Sequence, residues 1–172
     1  LQRLHEKISS APGGDSHKCS LTWNVIENMY ASCSSKVSVG GADSHEYSVK
    51  QGLREGSVLS PVLFAVFIDD IISRLDVGVG SSVLGVEVKA LLWADDILLI
   101  SETPGGLQQM IDICQSFADD SSFQFSLDKS QVVVFGDDIG YQYAWKLGDK
   151  PMTQVHQYKY LGLTFHRSLG GF

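Results

Sequence analysis

Apolar residues recur along this chain at two spacings, one typical of helices and one typical of short strands. Helical spacing predicts three helices, over residues 20–31, 60–75 and 103–120. Each begins at a hydroxyl side chain that can cap a helix, and the second and third continue with proline. The second helix is apolar on most of its circumference, so we expect it to be largely buried. One face of the first helix carries Leu21, Val25 and Met29.

Shorter apolar runs separated by turn residues predict strands. Hairpins are expected over residues 36–49, 83–100 and 141–157, a strand, turn and strand over residues 123–135, and one closing strand over residues 158–165. Helices and strands interleave without a regular βα repeat. The predicted fold class is therefore α+β, an antiparallel sheet with helices packed on one face.

One of these hairpins carries paired carboxylates. Within residues 91–100, an apolar run leads into Asp95-Asp96 and a second apolar run follows. Each run suits a short buried strand, so the turn would hold two acidic side chains at the tip of a rigid, dry support. Divalent cations prefer such hard oxygen ligands. The chain contains three other Asp-Asp pairs, none between strand-like runs: Asp69-Asp70, Asp119-Asp120 and Asp137-Asp138.

Composition narrows the possible roles. The 172 residues are 44% hydrophobic, which suits one globular domain with a real core, and the net charge is −7. That charge argues against a free-standing nucleic-acid binder but is compatible with a metal site that handles nucleotides. Three widely spaced cysteines indicate neither a disulfide framework nor a zinc site, and favour a reducing, intracellular setting.

The two chain ends and the longest apolar runs lead to predictions about membrane association, targeting and the extent of the chain. No apolar run approaches the roughly 18 residues of a membrane span, so we expect no membrane association. The first residues lack the apolar stretch of a signal peptide, and the chain has no initiating Met. We therefore expect a segment cut from a longer protein.

The loop that precedes the second helix can be interpreted in two ways. Gly52 and Gly56 permit positive φ angles, and Ser60 and Pro61 begin the helix. Backbone N–H groups at a helix start favour anions such as phosphates. The alternative is a plain structural turn, which the loop by itself favours. On the residues alone, Lys129 is likewise a surface cation.

Four segments together resemble a known family. Residues 52–64 (GLREGSVLSPVLF), 93–96 (WADD), 126–135 (SLDKSQVVVF) and 158–162 (YKYLG) resemble motifs B, C, D and E of reverse transcriptases, in the family's order. The style is that of enzymes from non-LTR retrotransposons. The resemblance extends from about residue 20 to the C-terminus.

The resemblance implies the palm of an RNA-directed DNA polymerase, which uses two Mg²⁺ ions to join a deoxynucleoside triphosphate to a DNA primer on an RNA template. It implies that Asp95 is the main metal ligand, that Asp96 is a second ligand, and that Lys129 is a proton donor to pyrophosphate. Residues implied to line the nucleotide and template pocket are Gly52, Arg54, Glu55, Gly56, Ser60 and Pro61. Those implied to seat the primer are Tyr160, Leu161 and Gly162.

The family pattern also divides the chain into three parts. Residues 1–48 would form a helix and hairpin leading into the palm, residues 49–140 the palm core with motifs B, C and D, and residues 141–172 the motif E hairpin and the start of the thumb.

Three departures from the family pattern bear on activity. Motif A, with its catalytic aspartate on a strand, is missing before Gly52. Glu55 stands where the family commonly has Gln; a carboxylate cannot donate hydrogen bonds and adds negative charge near phosphates. Ser126 stands where motif D often has Asn.

Three hypotheses follow. The first is a fragment of a polymerase that is inactive alone, because the motif A aspartate is absent. The second is a decayed or repurposed palm fold that acts as a non-enzymatic interaction module. The third is another metal-dependent phosphotransferase that shares the Asp-Asp hairpin, which would leave the matches to motifs B, D and E unexplained.

Overall fold

A computed structural model describes residues 2–10, 15–49, 52–75, 80–136 and 142–168. The chain divides into two compact units, Leu1–Asp70 and Ile71–Phe172. The turn predicted to hold Asp137-Asp138 lies outside the described residues. Among the helices that are described, none is both long enough and apolar enough to cross a membrane.

The first unit is built on helices α1 (Gln2–Ser9) and α2 (Ser16–Tyr30), together with the first part of α3 (Ser60–Arg74). Its core contains one buried residue from each helix, Leu4, Ile26 and Leu63. These three residues are far apart in sequence, so the core depends on tertiary packing of all three helices.

Helix α2 differs from its prediction in its start. It begins four residues before Ser20, because the Asp15 carboxylate accepts a hydrogen bond of 3.0 Å from the backbone N–H of His17 and caps the helix there. Ser20 therefore lies inside the helix rather than at its cap.

The apolar face assigned to α2 is also exposed. Leu21, Val25 and Met29 are 52%, 60% and 45% exposed, whereas Ile26 is buried and Trp23 and Tyr30 pack against its cluster. Helix α3 runs over the predicted range, but it is buried on one face only. Val62, on its other side, is 57% exposed.

The predicted hairpin over residues 36–49 is present as two short ladders. Strand β1 (Ser34–Ser35) pairs with β4 (Tyr47–Ser48), and β2 (Ser38–Val39) pairs with β3 (Ala42–Asp43). Gly40 and Gly41 alone form the connecting loop, with φ angles of +60° and +84°. Both angles belong to the turn type that two-residue hairpin loops prefer.

The second unit packs against α4 (Pro104–Asp120), which follows its prediction closely. The Thr103 hydroxyl accepts a hydrogen bond of 3.1 Å from the backbone N–H of Gly106, so the cap is confirmed. The predicted apolar face is buried, with Met110, Phe117 and Ala118 fully enclosed.

The strands of the second unit are short. They are β5 (Ser81–Val83), β6 (Val86–Val88), β7 (Ala90–Trp93), β8 (Asp96–Leu99), β9 (Gln131–Val133), β10 (Lys146–Leu147), β11 (Lys150–Pro151), β12 (Thr153–Val155), β13 (Gln157–Tyr160) and β14 (Leu163–His166). The hairpin predicted over residues 83–100 is thus two successive hairpins. The pair β10–β11 confirms a hairpin within residues 141–157.

Among the described residues, each strand pairs with one other strand. The described residues form seven two-stranded ladders, of which β9–β12 is parallel and the others are antiparallel. The mixed α+β class is confirmed. The predicted single antiparallel sheet is not found among the described ladders.

Two further predictions are corrected in this unit. Residues 123–125 form no strand; the Phe123 ring instead contacts Phe117 and Phe125 edge-on, at centroid distances of 5.8 and 5.1 Å. Residues 158–165 form the hairpin β13–β14 rather than one strand, because the chain reverses at Leu161 and Gly162, which have φ angles of +48° and +86°.

Candidate functional site

The paired carboxylates lie at the tip of the β7–β8 hairpin. Trp93 and Asp96 are direct partners in the ladder, so Ala94 and Asp95 form a two-residue loop. Asp95 occupies the loop and Asp96 is the first residue of β8, and both are exposed. The tip predicted from the sequence is confirmed.

The support beneath this tip is less dry than predicted. Burial alternates along β7, with Leu91 47% and Trp93 64% exposed, while Leu92 is half-buried. Among the described residues β7 pairs only with β8, which α4 contacts, and the face of β7 that carries Leu91 and Trp93 is exposed. The expectation of a short buried strand that forms a dry support is therefore wrong for β7.

The carboxylates at the tip are of the ligand type that a divalent cation prefers. Mg²⁺ takes about six oxygen ligands in octahedral geometry, and two carboxylates and water can supply some of them. Within the described residues, no group of three or more His, Cys, Asp or Glu side chains could hold a metal ion. The donor chemistry fits a divalent cation, but the protein ligands are incomplete.

Tyr160 on β13 lies within range of the Asp96 charge at this tip. Burial raises the pKa of the Tyr160 phenol, and the negative charge of Asp96 raises it further. This effect requires the phenol and the carboxylate to be near each other, because the charge of an exposed carboxylate is strongly screened with distance. The segment resembling motif E is thereby brought to the Asp-Asp hairpin.

Lys129 lies at the end of a short 3-10 turn, Leu127–Lys129, that leads into β9. Its side chain is exposed. Its backbone oxygen accepts a hydrogen bond of 3.3 Å from the hydroxyl of Tyr158, a strand residue two positions from Tyr160. This hydrogen bond joins the segment resembling motif D to β13, the strand that carries Tyr160.

The turn of the β13–β14 hairpin contains the other two residues assigned to the primer. Leu161 and Gly162 occupy positive-φ positions, and Tyr160 pairs with Leu163 across the ladder. Tyr160, Leu161 and Gly162 thus share one hairpin end, and that end is the one near Asp96.

The loop resembling motif B belongs to the first unit. Gly52 and Gly56 have φ angles of +94° and +77°, as expected for glycines that the loop geometry requires. The Arg54 carbonyl accepts hydrogen bonds from the backbone N–H of Ser57 at 3.3 Å and from the hydroxyl of Ser60 at 2.7 Å. Two bonds to one carbonyl close the loop on itself.

This geometry corrects the assignment of Ser60 as a helix cap. Helix α3 begins at Ser60, and the Ser60 hydroxyl is directed to Arg54. The N–H groups of Leu59 and Ser60 are bonded to Ser57, and Pro61 has no N–H. These bonds occupy the N–H groups of the two residues before Pro61, whereas the side chains of Arg54 and Glu55 are exposed.

Two tyrosines at these sites were not predicted from the sequence to have a functional role. The Tyr30 hydroxyl lies 3.3 Å from the Ser60 hydroxyl and supports the motif B loop, and no sequence signal distinguishes it from a packing residue. Tyr158 could have been noticed, because it lies on the same side of a strand as Tyr160.

Comparison with known proteins identifies the family. A family model described as reverse transcriptase (RNA-dependent DNA polymerase) matches residues 13–165. The chain belongs to the reverse transcriptase family. The resemblance inferred from four short segments is thus confirmed over most of the chain.

Relatives of this reverse transcriptase chain come from insect mobile elements. It is 29% identical over 106 residues to the retrovirus-related Pol polyprotein from type-2 retrotransposable element R2DM of Drosophila melanogaster, covering 62% of this chain and 10% of that protein. It is 27% identical over 151 residues to the RNA-directed DNA polymerase from mobile element jockey of the same species, covering 84% and 16%. It is 24% identical over 153 residues to the Pol polyprotein from type-1 element R2 of Nasonia vitripennis, covering 83% and 15%. The chain therefore spans less than a fifth of these relatives' length.

Proposed function

We propose that this chain is the part of an RNA-directed DNA polymerase that carries motifs B to E. The observation that carries the proposal is that β13 is linked to both other motifs of its unit: the Tyr158 hydroxyl bonds to the Lys129 backbone, and Tyr160 lies within range of the Asp96 charge. We infer that residues from motifs C, D and E act together in nucleotidyl transfer, which needs carboxylates, a proton donor and a seat for the primer. An RNA template, a DNA primer and deoxynucleoside triphosphates are the proposed substrates.

In this proposal Asp95 and Asp96 hold Mg²⁺, with Asp95 as the main ligand. When bound, magnesium neutralises charge on the triphosphate and polarises the reacting phosphoryl group. The exposed ammonium of Lys129 donates a proton to the pyrophosphate that leaves. The hairpin end at Tyr160, Leu161 and Gly162 seats the primer terminus.

The motif B loop holds the nucleotide and template. The bonds from Ser57 and Ser60 to the Arg54 carbonyl fix the loop, so that the Arg54 guanidinium can meet phosphate. Gly52, Gly56 and Pro61 shape the loop, and Glu55 sets the charge next to Arg54. The proposed division into residues 1–48, 49–140 and 141–172 assigns this loop to the palm core.

The isolated chain should have negligible polymerase activity. Two-metal catalysis needs carboxylates from motifs A and C, and the motif A aspartate is not present in these residues. Primer extension on an RNA template with Mg²⁺ tests this directly. Measurable extension that is lost in Asp95→Ala would contradict the proposal that the isolated chain is inactive.

Metal binding tests the proposed site without requiring catalysis. Mn²⁺, a paramagnetic substitute for Mg²⁺, should selectively broaden the amide signals of Asp95 and Asp96, and the broadening should be lost in Asp95→Asn. Asp149→Asn is the matched control, since Asp149 is an exposed carboxylate in the turn of β10–β11. Equal loss in both variants would contradict a site at the hairpin tip.

The alternative, a decayed or repurposed palm that acts as an interaction module, rests on the missing motif A and on Glu55. The family match and relatives named as RNA-directed DNA polymerases do not favour it. An open reading frame that encodes a Phe-x-Asp-type strand upstream of Leu1 would support the polymerase, and stop codons there would support decay.

A further inference from the structure

The inference concerns the face of β13 that carries two tyrosines. Burial alternates along the strand: Tyr158 and Tyr160 are half-buried, while Gln157 and Lys159 are exposed. Because side chains alternate across a strand, the two tyrosines share one face. The Tyr158 hydroxyl donates a hydrogen bond of 3.3 Å to the backbone carbonyl of Lys129, and Tyr160 lies within range of the Asp96 charge.

The turn that contains Lys129 is closed by its own hydrogen bonds. The Lys129 N–H donates to the Ser126 carbonyl at 3.2 Å, and the Ser130 N–H donates to the Leu127 carbonyl at 3.1 Å. The Ser130 hydroxyl also donates to the Ser126 carbonyl at 2.8 Å. These bonds hold the shape of the turn, but none of them joins it to another element.

The bond from Tyr158 makes such a connection. It joins residues 29 positions apart, and it holds the Lys129 peptide itself rather than a neighbour. The exposed Lys129 side chain has four rotatable bonds, so its reach depends on where its backbone is anchored. Tyr158 and Tyr160 lie on the order of 7 Å apart along the strand. The strand whose Tyr158 anchors the Lys129 backbone also carries Tyr160, which lies within range of the Asp96 charge.

We propose that Tyr158 is a positioning residue for Lys129, and that its hydroxyl sets the distance between the Lys129 ammonium and the carboxylates at the β7–β8 tip. The functional consequence of that distance is proton donation to pyrophosphate, and this consequence rests on the proposed function. The anchoring itself does not depend on it.

The first test measures the anchor in the metal-free 172-residue chain. Tyr158→Phe removes the hydroxyl and keeps the ring, so amide hydrogen exchange at Ser130 should accelerate about fivefold, the factor expected for one net hydrogen bond. Exchange in the α4 core at Met110 should not change. Tyr47→Phe, at an exposed tyrosine of the other unit, should leave Ser130 unaffected. Unchanged exchange at Ser130 in Tyr158→Phe would overturn the proposal.

The second test measures distance, which a merely structural role would not set. With Mn²⁺ bound and lysines labelled with ¹³C, paramagnetic relaxation of the Lys129 side-chain carbons should fall by about half or more in Tyr158→Phe, since relaxation depends steeply on distance. Relaxation at Lys150 should stay constant. Tyr158→Leu removes the ring as well; if only this variant changes Lys129 relaxation, ring packing rather than the hydroxyl is responsible and the proposal fails.

The two proposals fail in different ways. If Mn²⁺ does not broaden Asp95 and Asp96, the proposed metal site is wrong, and the exchange rate at Ser130 still decides whether Tyr158 anchors the turn. If Mn²⁺ binds and Tyr158→Phe leaves Lys129 relaxation unchanged, the metal site stands and the positioning role is wrong.

Discussion

Trp93 and Asp96 are direct partners across the β7–β8 ladder, with only Ala94 and Asp95 between them. A loop this short imposes its geometry on its residues, and Ala94 has a φ angle of +51°. Side chains with a Cβ atom disfavour positive φ. Backbone strain is therefore concentrated in the residue that precedes the principal carboxylate of the proposed metal site.

Substitution of Ala94 should report this strain. Ala94→Val should lower the free energy of unfolding by about 1 kcal/mol or more, because a β-branched residue is an outlier at positive φ. Ala94→Gly should be neutral or stabilising, since relief of strain offsets the greater freedom of the unfolded chain. Urea denaturation measures both. At Ala65, an exposed position within α3, Gly should instead destabilise by about 1 kcal/mol. The same sign at both positions would contradict the strained turn.

Glu55 is a departure from the family pattern that a single substitution can test. Glu55→Gln removes one negative charge beside Arg54, so Mg²⁺-nucleotide should bind about fivefold more tightly, which corresponds to about 1 kcal/mol for two charges near 4 Å apart in water. Fluorescence titration with a labelled deoxynucleoside triphosphate measures the change. Glu27→Gln, at an exposed position on α2, makes the same change in net charge. Equal tightening in both variants would show a general charge effect and would argue against a nucleotide at Glu55.

Helix α4 could be predicted from the sequence because two local signals agree. Thr103 caps the start, and the apolar spacing that follows has only one strongly apolar face, which the fold buries. Helix α2 lacks that agreement. Both Asp15 and Ser20 are capping residues, and apolar residues lie on two faces, so the spacing cannot choose between Val25 and Ile26. Packing against Leu4 and Leu63, distant in sequence, makes the choice.

The candidate site also has one part that could be predicted from the sequence and one part that could not. The Asp95-Asp96 tip follows from local sequence, since two apolar runs around a turn form a hairpin. The bond from Tyr158 to Lys129 could not be predicted, because it joins residues 29 positions apart that follow and precede the parallel β9–β12 ladder. The reversal at Leu161 and Gly162 could not be predicted either. That reversal places a non-glycine residue at positive φ, which a sequence pattern does not show.

Lys7 should stabilise the first unit through its contacts with α3. Its ammonium lies 2.8 Å from Asp70 and 3.2 Å from Asp69, and it donates to the Val66 carbonyl at 3.0 Å. Lys7→Met should lower the free energy of unfolding by about 1 kcal/mol or less, because the partly exposed pair is screened by solvent. Chemical denaturation at pH 8 measures this. Lys36→Met, which removes the more exposed ion pair with Asp43, should have a smaller effect.

The contribution of Lys7 should also depend on pH. Desolvation lowers the pKa of Lys7, but hydrogen bonds and charge from Asp70 and Asp69 outweigh it, so the pKa lies above its usual 10.5. A raised pKa in the folded state means that the stabilisation is complete below about pH 10.5 and is lost as the pH rises through the folded value. The difference between the native chain and Lys7→Met should therefore shrink above pH 10.5. A difference that grows with pH would contradict this ion pair.

Cys114 should be the least reactive thiol of the folded chain. It is buried on α4, and burial raises its pKa from 9.0 to about 12, whereas Cys19 and Cys33 are partly exposed. Because the thiolate is the nucleophile, iodoacetamide at pH 8 should modify Cys19 and Cys33 and spare Cys114. Peptide mapping by mass spectrometry measures the three sites, and all three should react in urea.

The same shift in pKa predicts a loss of stability in alkali. Between pH 9 and about 12, the unfolded chain ionises its Cys114 thiol while the folded chain retains the proton, so the free energy of unfolding should fall as the pH rises through this window. Cys114→Ala should show a shallower fall, although the variant is less stable at pH 8 because it leaves a cavity against Phe117 and Met110. Alkylation of Cys114 in the folded chain as fast as that of Cys19 would contradict the burial of this thiol on α4. An equally steep alkaline fall in the unfolding free energy of Cys114→Ala would contradict it as well.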